Sequence, residues 1–239
     1  MLLLQAAIGA LNDLHDRPAD RLARPDKPIP AGLVAPRSAL WLAGLAGPVG
    51  LALAAVSPFS LAIAVVGLAD GLAYDLRLKG TALSWLPFAL GLPLLLLFAA
   101  STAPCLPPSI ASVLPLAVLA GASLALANAL ADRPRDAAAG VRSTATALGD
   151  AATWRLDAGL SLTTLVVAAV LFGVLRGGPP DAAGVGGLAA AAALQVAGLG
   201  LLRSRAGRRP ELGWEVQAIG FAVLALVWLV GAGHGPSGC

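Results

Sequence analysis

Long apolar stretches separated by short polar ones set the plan of this chain. Apolar residues run almost unbroken over roughly 38–56, 59–74, 82–100, 109–131, 156–175, 185–202 and 213–233. The runs are rich in Leu, Ala, Val and Gly and do not alternate with polar residues as barrel strands do. Each has, or nearly has, the roughly 20 residues that a helix needs to cross a hydrocarbon core about 30 Å thick. An eighth segment, 1–11, is too short, because eleven helical residues rise only about 17 Å. It begins at Met1 without a charged flank, so it reads as a shortened N-terminus rather than a signal peptide. The pattern predicts an all-α, polytopic transmembrane helix bundle of about eight helices. It forms one domain over 1–239, with a first half over about 1–100 and a second over about 109–233.

Composition sharpens this picture. The chain is 58% hydrophobic and 12% charged, with a mean hydropathy of +0.82. A soluble domain carries about 25% charged residues, so this charge cannot cover a soluble globule. Disorder is excluded for the opposite reason, since it needs low hydrophobicity and high charge. The net charge of +3 could suggest nucleic acid in a soluble protein. Here its placement speaks for membrane lipid as the partner and against nucleic acid. The loops 12–37, 75–81, 132–155 and 203–212 hold all 16 Lys and Arg residues except Arg176. If 1–11 runs inward and the spans alternate, all four loops fall on one face, the cytoplasmic side of an inner membrane. Trp41, Trp85, Trp154 and Trp214 sit just inside helices entering from that face, as an interfacial belt does. Gln195, in the middle of a span, is expected to hydrogen-bond between helices. Cys105 and Cys239 have neither metal-ligand spacing nor a lipidation box.

Two distant stretches repeat one another. Residues 12–20 read Asn-Asp-Leu-His-Asp-Arg-Pro-Ala-Asp, and residues 128–136 read Asn-Ala-Leu-Ala-Asp-Arg-Pro-Arg-Asp. Both fit N-x-L-x-D-R-P-x-D at the point where an apolar helix emerges on the basic side, which suggests a duplicated half. Asp13, Asp16, Asp20, Asp132 and Asp136 thus crowd one membrane face. Crowded carboxylates repel unless a cation sits among them, and hard oxygen ligands suit Mg²⁺ beside a phosphate. Asp16 and Asp20, four apart, would share a helix face. Pro18 and Pro134 push the preceding residue out of helical geometry, so the first helix is expected to end near Asp16 with Asp20 in the following turn. Lys27, Arg77, Lys79 and Arg142 lie among the acids, and such cations are the usual partners of phosphate. Carboxylates, a metal and cations at a lipid interface describe a diphosphate site, most naturally for a polyprenyl diphosphate with its tail in the bundle. Asp70 lies within the 59–74 span, one turn before Tyr74. An ionisable residue there is a candidate for acceptor binding or proton removal.

These residues resemble the UbiA superfamily of intramembrane prenyltransferases. Asn12–Gly32 is similar to the family's N-D-x-x-D-x-x-x-D signature and its R-P-x-R-P-I-P-x-G tail, with Lys27 where Arg is common. Asp132–Gly149 is similar to the second signature, D-x-x-x-D followed by G-V-R-S and L-G, and Tyr74–Lys79 to a Y-S-x-x-L-K stretch. The resemblance covers essentially the whole chain. It implies Mg²⁺-dependent transfer of a prenyl group from a prenyl diphosphate to an acceptor, an aromatic or other lipid precursor. Asn12, Asp13, Asp16 and Asp20 would hold one Mg²⁺, and Asp132 and Asp136, with Asn128, a second. Lys79, Arg142 and Arg77, with Lys27 of the signature's tail, would bind the diphosphate, and Tyr74 would stabilise the allylic cation.

Two positions depart from the family pattern. Ala129 stands where Asp often follows the Asn, and Asp75 where a small hydroxyl residue is usual. They motivate a second reading, a catalytically altered homologue that binds lipid or assists assembly. The spans carry too little polar lining for a transporter. The D-G-x-x-A-R element of CDP-alcohol phosphotransferases is missing from the sequence.

Overall fold

The computed structural model describes residues 1–103, 110–176, 180–204 and 207–232. Cys105 and Cys239 lie outside them. Every regular element among the described residues is helical: α1 (Leu2–Ala23), α2 (Pro36–Ala54), α3 (Pro58–Ala73), a π-helical turn over Tyr74–Leu78, α4 (Leu86–Ser101), α5 (Ile110–Ala138), the short α6 (Thr144–Leu148), α7 (Asp150–Arg176), α8 (Ala182–Leu202) and α9 (Arg209–Ala232). The all-α expectation holds. Among the described residues, six helices are long and apolar enough to cross a membrane: Pro36–Ala54, Pro58–Leu78, Ile110–Ala138, Asp150–Val174, Ala182–Leu202 and Arg209–Val230. The stretch expected over 82–100 is the apolar 16-residue α4, about 24 Å long. The chain is a multi-pass integral membrane protein. Leu40, Trp41, Leu45 and Leu53 on α2 and Leu162, Val166 and Val170 on α7 are exposed, a surface suited to acyl chains and excluded in water.

The N-terminal segment departs from expectation. Instead of a stub over 1–11 and a break near Asp16, α1 runs for 22 residues through the first box and Pro18, about 33 Å. Likewise α5 continues through Pro134 to Ala138. Proline removes one N–H and crowds the carbonyl four residues back. Both prolines are exposed, where water can take over the freed carbonyl, so each helix tolerates the loss.

Local signals start the helices. Pro36 and Pro58 occupy first-turn positions, where the missing N–H would have no helical partner. Ser57 caps α3 by accepting from the Ser60 amide at 3.0 Å, and Asp181 caps α8 by accepting from the Gly184 amide at 2.8 Å.

The chain divides into two compact units, Met1–Lys79 with Leu94–Pro104, and Gly80–Pro93 with Cys105–Cys239. In the first, α1 packs on α2 and α3 through small residues. A Cβ on Gly50 would lie 2.7 Å from Leu4 Cδ2. Leu4 itself is buried with Ala54 and Ala64. A second cluster joins Ala10, Ala39 and Ala43 to Ile29 in the loop after α1.

In the second unit α5 packs against α7 and α9, and α8 lies along α9. Its core contains Leu116, Phe172, Phe221, Leu224 and Trp228, with Phe172 and Trp228 edge to face at 6.2 Å. A polar seam crosses the same unit. Asp157 on α7 is fully buried; it accepts from Ser123 Oγ of α5 at 2.6 Å and from Gln217 Nε2 of α9 at 3.1 Å. Gln195 of α8 donates to the Gln217 carbonyl at 2.9 Å, the interhelical bond expected of it.

Candidate functional site

The first acidic box lies on one continuous helix, so its spacing becomes geometry. Asn12 and Asp16 are one turn apart and meet the same cation. Lys79 Nζ donates to Asn12 Oδ1 at 2.8 Å and to the Asp16 carboxylate. Asp13 and Asp20, two turns apart, meet another. Lys27 Nζ donates to Asp13 Oδ1 at 3.1 Å and to Asp20 Oδ2 at 2.7 Å. Asp16 and Asp20, expected to converge, are therefore held by different lysines.

Each lysine is positioned by its local fold. The loop after α1 turns back on itself, with the Ala31 amide donating to the Lys27 carbonyl at 2.8 Å. Ile29 pins it by burying against Ala10, Leu11, Leu14, Ala39 and Ala43. Lys79 follows the π-helical turn, whose closing bond runs from the Lys79 amide to the Tyr74 carbonyl at 2.7 Å. Bonding five residues back instead of four inserts one extra residue into this turn. Gly80 ends it at φ 75°, a backbone angle that glycine takes without strain.

Burial alone would lower the Lys27 pKa. Its hydrogen bonds to Asp20 and Asp13, together with their charges, outweigh that and hold the ammonium above its ordinary value. The π-helical turn also carries Asp75, which is 4% exposed, and its Oδ2 has no hydrogen-bond partner among the described residues. Tyr74 and Asp70 are half-buried, and Arg77 is exposed.

The second box is arranged differently. Asn128 Nδ2 donates to Asp132 Oδ2 at 3.4 Å. Asp132 also accepts from Arg135, whose other amino group donates to Glu211 Oε1 at 2.7 Å. Arg133 pairs with Asp150 at 2.8 Å. Asp136 is half-buried and Arg142 exposed. Ala129 is buried at 6% exposure, so this position of the box fills the core of α5. Sequence reading missed Arg135 and Glu211 as partners of the box. Arg135 was legible: it stands where the first box has Ala19, three residues after Asp132, within reach on a helix. Glu211 lies 76 positions from Arg135, and no sequence signal joins them.

Among the described residues, no three or more His, Cys, Asp or Glu side chains are grouped to hold a metal. The donor set nevertheless fits one. The first box presents hard oxygens in pairs, each pair already closed on a cation, and Mg²⁺ takes one or two carboxylates with water and phosphate. The lysine ammonium groups stand in for that positive charge.

The family model for the UbiA prenyltransferase family matches residues 1–222. A digeranylgeranylglyceryl phosphate synthase of Methanothrix thermoacetophila is 38% identical over 91 residues, 34% of this chain and 30% of the relative. The matched stretch thus spans under a third of that relative's length. The apo structure of a UbiA homolog from Aeropyrum pernix K1 superposes with a TM-score of 0.74 at 18% identity, covering 95% of this chain and 85% of that one. A UbiA homolog from Archaeoglobus fulgidus, bound to Cd²⁺, superposes with a TM-score of 0.62 at 18% identity, covering 93% and 83%. At such identities the structures establish the fold.

Proposed function

The chain belongs to the UbiA prenyltransferase family, and from that premise we propose that it transfers a prenyl group from a prenyl diphosphate to an acceptor within the membrane. The observation that carries this reading is the first box. One helix gathers Asn12, Asp13, Asp16 and Asp20 into two oxygen pairs, each closed on a lysine ammonium. A set of oxygens and cations of this kind can exchange an internal pairing for a bound diphosphate and its counter-ion.

Asn12, Asp13, Asp16 and Asp20 would hold one Mg²⁺, and Asn128, Asp132 and Asp136 a second. Bound there, the metal would neutralise the diphosphate charge. A relative's structure contains Cd²⁺, which supports a divalent cation. Lys27, Arg77, Lys79 and Arg142 bind phosphoryl oxygens; Lys79, released from Asp16, turns its ammonium to the substrate. As the prenyl C1–O bond breaks, the electron pair leaves with the diphosphate, and these cations stabilise its charge. The Tyr74 ring flanks the electron-poor allylic carbons. The acceptor's nucleophilic atom bonds to C1 and gives up its proton, which the Asp70 carboxylate accepts. The apolar spans exclude water that would quench the cation.

The Methanothrix relative is named for making a digeranylgeranylglyceryl phosphate, so a prenylglyceryl phosphate is the first acceptor to test. The acidic boxes and basic loops face the cytoplasm in this reading, supported by the concentration of Lys and Arg at one set of loops. Comparing the lipids of cells with and without the protein by mass spectrometry tests the function. A prenylated lipid present only with the protein is expected, and identical lipid profiles contradict the proposal.

A second reading has its own observation. Asn12, Asp13, Asp16, Asp20 and Asp132 each already meet a protein cation. In that reading the chain binds diphosphate lipids without turning them over. Mg²⁺-dependent binding of a prenyl diphosphate with no product across a panel of acceptors would favour it.

A further inference from the structure

The second unit contains an open cleft of about 840 Å³ that the carboxylates of Asp132 and Asp136 do not line. It lies among α5, the starts of α7 and α9, and the end of α8. Arg133, Arg135, Arg155 and Arg203 line it, against an apolar wall that includes Trp154 and Leu202. Among the described residues the acids lining it are Asp150 and Glu211, so four guanidinium groups face two carboxylates.

The acids are spoken for. Asp150 pairs with Arg133 at 2.8 Å and Glu211 with Arg135 at 2.7 Å. Arg155 donates to the carbonyl of Ala151 on its own helix at 2.9 Å. The Arg203 guanidinium lies over the Trp154 ring, 4.8 Å from its centroid. Among the described residues neither Arg155 nor Arg203 pairs with a carboxylate, and the buried Nε groups of Arg133 and Arg135 have no hydrogen-bond partner. Trp154 is a fixed wall: its Nε1 donates to the Leu199 carbonyl at 2.9 Å, and it packs with Leu130 and Leu202.

Excess guanidinium charge is suited to phosphate, which arginine binds through a planar fork of donors. The adjoining apolar wall is suited to a hydrocarbon chain. We propose that this cleft binds the phosphate group of an amphiphile, the phosphate against Arg155 and Arg203 and the chain along Trp154 and Leu202. The inference uses none of the acidic-box carboxylates and does not rest on the prenyl-transfer reading.

The test uses the full chain in detergent micelles with three probes: dioctanoyl phosphatidic acid, dioctanoyl phosphatidylcholine and inorganic phosphate. Binding is read by calorimetry. Phosphatidic acid is expected to bind saturably and more tightly than phosphatidylcholine. The Arg155→Gln/Arg203→Gln double variant is expected to bind it at least about ten-fold more weakly. An Arg155→Lys/Arg203→Lys variant, which keeps the charge and loses the fork, should fall between the two. It also carries the test if the glutamine variant does not fold. Competition by inorganic phosphate assigns recognition to a free phosphate group; failure to compete assigns it to a lipid headgroup. Either supports the site when the arginine variants lose binding. Equal binding of phosphatidic acid by wild type and variants, or equal binding of phosphatidylcholine and phosphatidic acid, overturns it.

Discussion

Lys79 donates its ammonium protons to the Asp16 carboxylate, which ties the end of the π-helical turn to an acidic box 63 positions earlier in the chain. The same ammonium takes Asn12 Oδ1 at 2.8 Å. One lysine therefore organises the half of the first box that Lys27 does not reach. Replacing it removes both the box's counter-charge and a proposed phosphate ligand. Lys79→Ala is expected to lower turnover by about 10²-fold or more, with partial recovery in Lys79→Arg. Steady-state rates on a prenyl diphosphate in reconstituted vesicles measure this.

Lys27 gives the fold a pH dependence of known sign. Its folded pKa lies above the 10.5 of a free lysine, so the charged form is favoured by folding. The stabilisation is fully present below 10.5 and disappears as pH rises through the higher folded value. Thermal melts across the alkaline range should show wild type losing stability as the lysine titrates. Lys27→Met should be less stable at neutral pH and lack that alkaline step, since Asp13 and Asp20 are then left facing each other without the ammonium.

The polar seam of the second unit should be unforgiving. Asp157→Ala strands the buried Gln217 Nε2 and leaves Ser123 only its bond to Ser161, at 2.9 Å. Stranding a buried polar group costs about 1–3 kcal/mol, so a clear fall in melting temperature is expected. Asp157→Asn, which keeps an acceptor for Ser123, should lose less. Thermal unfolding in detergent, followed by circular dichroism, compares the two.

Close helix contacts depend on glycine at particular places. A Cβ on Gly121 of α5 would lie 2.2 Å from the Phe88 carbonyl oxygen, a backbone atom that cannot swing aside. Gly121→Ala is expected to destabilise the protein by about 1–3 kcal/mol, the usual cost of overpacking. Gly186→Ala, on α8 with nothing within 4 Å of the added Cβ, should keep or slightly raise the melting temperature, since alanine is favoured over glycine inside a helix by about 1 kcal/mol.

Much of this was legible in the sequence, because a membrane imposes a simple pattern. Apolar runs marked the spans, and Gln195 was read correctly because a lone amide in a span must find a partner. The repeated box was visible as residues, and so were the cations that meet its first copy. The start of the chain is the exception: Pro18 predicts a break, but it lies on an exposed face and α1 continues through it. The π-helical turn was not foreseen either; one inserted residue leaves no mark in hydrophobic periodicity. It determines where Asp75 and Lys79 point. Nothing in the sequence around Asp157 marks it as a buried hub. Its burial depends on Ser123 and Gln217, which lie 34 and 60 positions away.

The most direct test of the proposed activity is transfer of a radiolabelled prenyl group in vesicles by wild type, Asp16→Ala and Asp132→Ala. The two variants should insert and melt close to wild type and yet give no labelled product with Mg²⁺ present. Chelation of divalent metal should silence wild type in the same way, and added Mg²⁺ should restore it. Undiminished transfer by both variants would contradict the account.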